Sequence, residues 1–344
     1  MSGEPWQGEV YGEAYGAAPR DPYDEAPGAL PAGLHLDPAA PSRDTALMAS
    51  WQSFCHIIRH RIRHVFWKLP EAADRSGLGP GEIPPAEILR EIGAIIAQLD
   101  LIRTIAPDRE LWRARWHRPD ERVDSAQALG TLPERLSTRS NRMSPAGIPM
   151  FYGATSAETA RAEAVAAPMA GASLTIGAFR VSRPATVVDF TELPPVPSPL
   201  DADRGHLSQC VAFLHDFVDD LARAARPDFT EIDYVPTQVV TEFLLHAWDY
   251  GVPVDGIAYR SAQDDGRCVV LDVKSEQCVD PAEPTGPTDP TEPGASADPA
   301  GPAEPTAPAP PADGRAVLRL TLAPESLRSY AADDAPPSRG PGPA

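Results

Sequence analysis

Apolar side chains recur along the middle of the chain with two distinct periods, and these divide it into a helical part followed by a mixed part. Leu47, Trp51, Phe54, Cys55, Ile58, Ile62, Val65 and Phe66 fall at steps of three and four, which places them on one face of an amphipathic helix. A second helix is announced by Pro84-Pro85, where a missing N–H costs nothing at a helix start, and repeats Ile88, Ile92, Ile95, Ile96, Leu99 and Ile102. Together they predict a helical module over 47–107. From Leu111 the pattern shortens to strand-like runs at 111–115, 148–154 and 173–182. Thr155 and Glu158 have capping-box spacing and predict a helix through about Ala167, with Glu163 inside it.

A longer amphipathic helix carries Leu207, Val211, Leu214, Val218 and Leu221, and another runs from Pro236 to a stop at Gly251. Strand candidates return at 256–262, 268–274 and 316–322, the last two expected to be neighbours joined by a long insert. The fold class expected is α+β: a mixed-sheet core over 108–322 preceded by a small helical module.

Composition adds segments with no such period. Residues 1–46 hold eight acids against two arginines and predict a disordered acidic arm. Residues 279–314 contain eleven prolines, many at every third position, and no Lys or Arg; they read as a solvated Pro-rich insert within the core. Residues 323–344 complete the picture as a disordered tail. The formal charge of −19 argues against general phosphate binding to nucleic acid. Yet these three segments carry 14 of the 19 negative charges, leaving a core only mildly acidic.

No run approaches the roughly 18 apolar residues of a membrane span, and the acidic opening lacks the layout of a secretory signal. A cytoplasmic location is expected, with Cys55, Cys210, Cys268 and Cys278 as reduced thiols and no metal site, since no CxxC pair occurs.

No Gly-rich phosphate loop, GxSxG elbow or HExxH motif is present. What stands out is polar residues in segments that read as buried: Arg113 in a strand, Tyr152 at a strand end, Glu163 in a helix and Ser261 at a strand end. Arg113 with Glu163 has a plain alternative as a structural ion pair, Tyr152 as a core aromatic and Ser261 as a turn residue.

Arg113 in LWRAR, the run NRMSPAGIPMFYGA at 141–154, TARAEA at 159–164, YVPTQVVTEFL at 234–244 and DGIAYRSA at 255–262 together resemble the RES family, in order along residues 111–275. The 47–107 module resembles the HEPN-like helices that precede some longer members. The resemblance implies a core like that of ADP-ribosyltransferase toxins, and an enzyme that takes NAD as substrate and cleaves its nicotinamide–ribose bond by hydrolysis or phosphorolysis, as a toxin or defence effector. A protein antitoxin would be its partner, and the resemblance leaves room for a homodimer.

Carried over residue by residue, Arg113 would hold the phosphate or ribose side, Tyr152 would pack on the nicotinamide, Glu163 would act at the reacting ribose and Ser261 would assist binding. Arg142 matches a second basic position at the pocket. Cleavage through an oxocarbenium-like state needs a fixed carboxylate but no general acid or metal, because nicotinamide leaves from a cation. The sequence departs from the family pattern after Ser261, where Arg267-Cys268 leads into an apolar run and alters the pocket's far wall.

Three other readings remain at this level: transfer of ADP-ribose to a protein, an inactive NAD- or partner-binding protein, and a HEPN-type ribonuclease. The last rests on His56, His60 and His64 at four-residue steps opposite the apolar stripe, with Arg59 for a scissile phosphate and His64 as acid/base.

Overall fold

A computed structural model describes residues 41–68, 78–166, 169–281 and 316–330. Most of the acidic arm, most of the Pro-rich insert and the end of the tail lie outside them.

The first helix, α1 (Arg43–His60), buries Leu47, Trp51, Phe54, Cys55 and Ile58 as its periodicity requires. It stops earlier than the apolar pattern: the N–H groups of Arg61 and Ile62 both turn back to the carbonyl of Ile57, at 2.8 and 2.9 Å. Phe66 still reaches the core, but from a short 3₁₀ turn, with its ring edge-on to Phe54. Helix α2 (Ile88–Gln98) buries Ile88, Ile92, Ile95 and Ile96. Asp100, with φ of +50°, ends it in the left-handed region that Asp tolerates, so Ile102 begins strand β1 (Ile102–Ile105) instead of extending the helix. The chain thus enters the sheet directly from what the pattern alone assigned to a helical module.

Among the described residues the sheet has nine strands. After β1 come β2 (Glu110–His117), β3 (Phe151–Ala154), β4 (Ser173–Val181), β5 (Ala185–Asp189), β6 (Gly256–Arg260), β7 (Arg267–Leu271), β8 (Cys278–Val279) and β9 (Leu320–Tyr330). Their spatial order is β1-β5-β6-β7-β3-β2-β4-β9-β8, antiparallel except for β5–β6 and β8–β9. The architecture is α+β with a large mixed sheet.

Two expectations are corrected here. Strands β7 and β9 are not neighbours, because β3, β2 and β4 stand between them; the Pro-rich segment instead links β8 to β9, which pair in parallel. The last strand also runs past Leu322 to Tyr330. It accommodates Pro324 at an irregularity in the pairing with β4, where Ser326 Oγ accepts the Ala178 N–H at 2.7 Å in place of a backbone partner.

The strand period of two sends alternate residues to opposite faces. Phe151, Val187, Val269 and Leu271 face one core, closed by the single turn α3 (Ala126–Leu129). Val188, Ile257 and Val270 face the other. There they meet α1, α2, α5 (Ser208–Ala222) and α7 (Val235–Glu242), with α4 (Ala157–Val165) and the one-turn α6 (Thr230–Asp233) completing the α-helices of the described residues. Trp51, Phe213 and Phe217 interlock in this core, with Trp51 edge-on to Phe217 at 4.9 Å between centroids. Helix α7 does not run on to Gly251 as an α-helix; it widens into a π-helical turn at Phe243–Ala247.

Candidate active site

Strands β2 and β3 are paired at Trp112 and Ala154 and then diverge. A cavity of about 290 Å³ opens in the split, lined among others by Trp112, Arg113, Tyr152, Glu163, Tyr259 and Cys268. Helix α4 lies over it. Its cap is Ser156, whose Oγ accepts the Thr159 N–H at 3.1 Å. The expected cap one residue earlier is unavailable because Thr155 N–H is still bonded to the Arg267 carbonyl, at 2.9 Å, as a continuation of the β3–β7 ladder.

The helix delivers Glu163 to the end of β6. Glu163 Oε1 accepts the Ser261 hydroxyl at 2.5 Å and the Ala262 N–H at 3.2 Å. Ser261 is itself buried and fixed, its Oγ accepting the N–H groups of Gln263 and Asp264 at 3.1 and 3.3 Å. The turn that follows packs so closely on α4 that a Cβ at Gly266 would lie 2.0 Å from Thr159 Oγ1, which excludes any larger residue. Among the described residues Glu163 has no ion-pair partner. In particular it is not paired with Arg113, so the structural ion pair that the sequence left open is not formed.

Arg113 spans the split between the strands. Its Nε donates to the Leu129 carbonyl at 2.8 Å and its Nη1 to the Tyr152 carbonyl at 2.7 Å, with the guanidinium 5.3 Å from the centre of the Phe151 ring. Burial lowers its pKa to about 10, which leaves it charged at neutral pH. Tyr152 turns its hydroxyl to Ser144 Oγ at 3.0 Å and accepts the Met143 N–H at 3.3 Å. Burial raises this phenol to about 12.

Arg142 stands outside the cavity lining and is half-exposed, with no hydrogen bond or ion pair among the described residues. Its charge still reaches the hydroxyls of Tyr152 and Tyr259 and the Cys268 thiol. All four sequence-predicted lining residues, Arg113, Tyr152, Glu163 and Ser261, therefore converge on one place, either at the cavity wall or in contact with it.

Among the wall residues, Trp112 and Tyr259 were not singled out in the sequence, whereas Cys268 entered as a wall residue only through the run after Ser261 expected to alter the far wall. Tyr259 lies two residues before Ser261, near the end of β6, so the period of two could have revealed it. Cys268 lies across from it on β7. Burial first, and then the neighbouring Glu163 charge, push the Cys268 thiol up to about 12, so it stays protonated.

The rival histidine site is not assembled as expected. His56 and His60 lie one turn apart on α1 with ring centroids 5.3 Å apart and planes tilted by 52°, but the helix ends at His60 and His64 lies beyond it, off the shared face. Arg59 Nη2 is engaged with the Asp233 carbonyl at 3.2 Å. Among the described residues no three His, Cys, Asp or Glu side chains form a metal cluster, and no helix is long and apolar enough to cross a membrane.

No curated protein and no solved structure matches this chain. Residues 110–290 match the model of the RES domain, more than half of the chain and a span that contains every wall residue of the cavity. On that match the chain belongs to the RES family, which is associated with NAD.

Proposed function

We propose that the cavity between β2, β3 and α4 cleaves the nicotinamide–ribose bond of NAD, with water or phosphate as acceptor, on a core of ADP-ribosyltransferase type. The observation that carries this reading is the state of Glu163. A carboxylate fixed at a cavity by two donors, with no cation neutralising it among the described residues, is poised to stabilise positive charge that appears only during a reaction.

In the proposed step the C1′–N bond breaks with its electron pair going to the ring nitrogen, so nicotinamide leaves neutral. Positive charge develops on the ribose at C1′ and O4′, where the Glu163 carboxylate offsets it. The acceptor oxygen then bonds to C1′ and loses its proton. Ser261 acts through Glu163 by holding one carboxylate oxygen. Arg113 has five N–H groups and spends two on carbonyls, leaving three, with its charge, for the anionic side of the dinucleotide. Arg142 adds a second positive charge outside the cavity wall, and Tyr152 offers a ring for the flat pyridinium. The cavity sits at the small end of ligand sites, which span roughly 300–1,000 Å³; only the nicotinamide riboside end would enter it.

Purified protein incubated with NAD, with and without phosphate, is expected to release nicotinamide. Glu163→Gln should lower the rate by at least about 10²-fold, the loss typical when one pre-organised electrostatic group is removed. Intact NAD under both conditions overturns the reading. A toxin role with a protein antitoxin belongs to the same proposal, and growth arrest that Glu163→Gln relieves would support it.

A further inference from the structure

The cross-strand register sets Tyr259 opposite Cys268, Cys268 opposite Ala154 and Ala154 opposite Trp112. Directly opposed residues share a face, so these four side chains form one row across four strands. The row has an aromatic at each end and two small residues between them. Its floor is therefore a trough; α4 packs mainly over the β2 end, and its Glu163 reaches across to Ser261 at the Tyr259 end.

Tyr259 lies in the cavity wall, yet its hydroxyl makes no hydrogen bond to any described residue. The other phenol of the site behaves differently, since Tyr152 is bonded to both Ser144 and Met143. The hydroxyl opens into the cavity instead of being sealed in the core, and without a partner among the described residues it has a donor left for a ligand. Burial, and then the charges around it including Glu163, hold the Tyr259 phenol protonated far into the alkaline range. It is therefore a neutral O–H donor at any working pH.

We infer that Tyr259 is a further substrate-contacting residue, whose hydroxyl donates to a ribose hydroxyl oxygen on the nicotinamide side of NAD while its ring forms the wall beside Glu163. This rests on the function proposed above. The ribose is the part of the substrate that must lie at Glu163, and Tyr259 carries a donor free among the described residues on β6, the strand whose end leads into the Ser261 anchor of Glu163. Because the hydroxyl bonds to no described residue, removing it should leave the fold unchanged and weaken substrate binding, the reverse of what a structural tyrosine would do.

The test is Tyr259→Phe measured three ways. NAD turnover should show kcat/KM reduced roughly threefold to tenfold, the worth of one neutral hydrogen bond, mostly through KM. Calorimetric titration of NAD into Glu163→Gln and into the Glu163→Gln/Tyr259→Phe double variant should show the same ratio in Kd. The thermal midpoint should not fall. Unchanged kcat/KM and Kd, with wild-type turnover intact, overturn the role of Tyr259 alone. A lowered midpoint with unchanged Kd does the same by making the residue structural. Absence of turnover in the wild type overturns the parent reading instead, and the two failures are thus separable. Tyr259→Leu, which also removes the aromatic wall, should weaken Kd further than Tyr259→Phe.

Discussion

Two regions on the same side of the sheet are built to opposite specifications. Under α1, α2 and α5 the space is filled by large rings and branched chains: Trp51, Phe54, Phe213 and Phe217 are all essentially inaccessible. Under α4 the corresponding positions are Ala154, Ala160 and Cys268, and the volume they leave is the cavity. The polar groups differ as well. At the packed end Trp51 Nε1 is spent on Asp220 at 2.8 Å, whereas at the open end the Tyr259 hydroxyl is unspent and Glu163 is held by donors but not neutralised. The contrast is one of side-chain size and of which polar groups face the cavity, since even at the packed end Asp44 Oδ1 and Arg59 Nε are buried without a partner among the described residues.

That contrast can be broken from either side. The largest effect is expected at the packed end, where Phe217→Ala should destabilise the protein by about 3–5 kcal/mol through lost transfer and an unfilled cavity. Denaturant titration checks this, and a loss under about 1 kcal/mol would mean the helical layer is not the main core. At the open end Ser261→Ala should cost activity before stability. It removes a charge-assisted donor from Glu163, worth roughly tenfold in NAD cleavage, while Ala262 N–H still marks the carboxylate's place. A Ser261→Ala enzyme as fast as the wild type would show that the carboxylate needs no tether.

The smallest effect belongs to neither end. The Arg226 side chain holds Asp233 down at about 2 through a bidentate pair with N–O distances of 2.9 and 2.8 Å. A carboxylate depressed in the folded state adds stability above the ordinary carboxylate range, and that increment is lost as pH falls toward 2. Asp233→Asn should therefore lower the urea midpoint slightly at pH 6, with the difference from wild type vanishing near pH 2; Arg226 is well exposed, so salt should shrink it further. A difference that grows on acidification would contradict the pairing.

Legibility in the sequence followed the range of the interactions. Helices α1, α2 and α5 and most strands were readable because their burial repeats locally, at steps of three and four or of two. Their ends were less so. Ile102 and Phe66 continue an apolar period, but Asp100 and the bifurcated bond at Ile57 stop the helices for reasons of backbone geometry. Strand β9 beyond Leu322 carries Pro324 and Glu325, which read as a tail until the irregular pairing with β4 makes room for them. At the site, Arg113, Tyr152, Glu163 and Ser261 were legible through family resemblance and through their polarity in apolar segments. Tyr259 was not, because a tyrosine in a strand has the composition of ordinary core, and Cys268 stood out only as a departure from the family pattern.

The sequence by itself determined the two periods, the acidic and Pro-rich segments that carry most of the charge, and the four polar residues around which the site is built. Only the tertiary structure decided which strands adjoin, and hence that β2 and β3 separate to leave a cavity. It alone spent two of Arg113's donors on backbone carbonyls, tied Ser261 to Glu163 across 98 positions and left Tyr259 unbonded. The physical reason is that side-chain identity is local, whereas strand register and hydrogen-bond partnership are set by chain segments far apart in sequence, whose pairing no local pattern encodes.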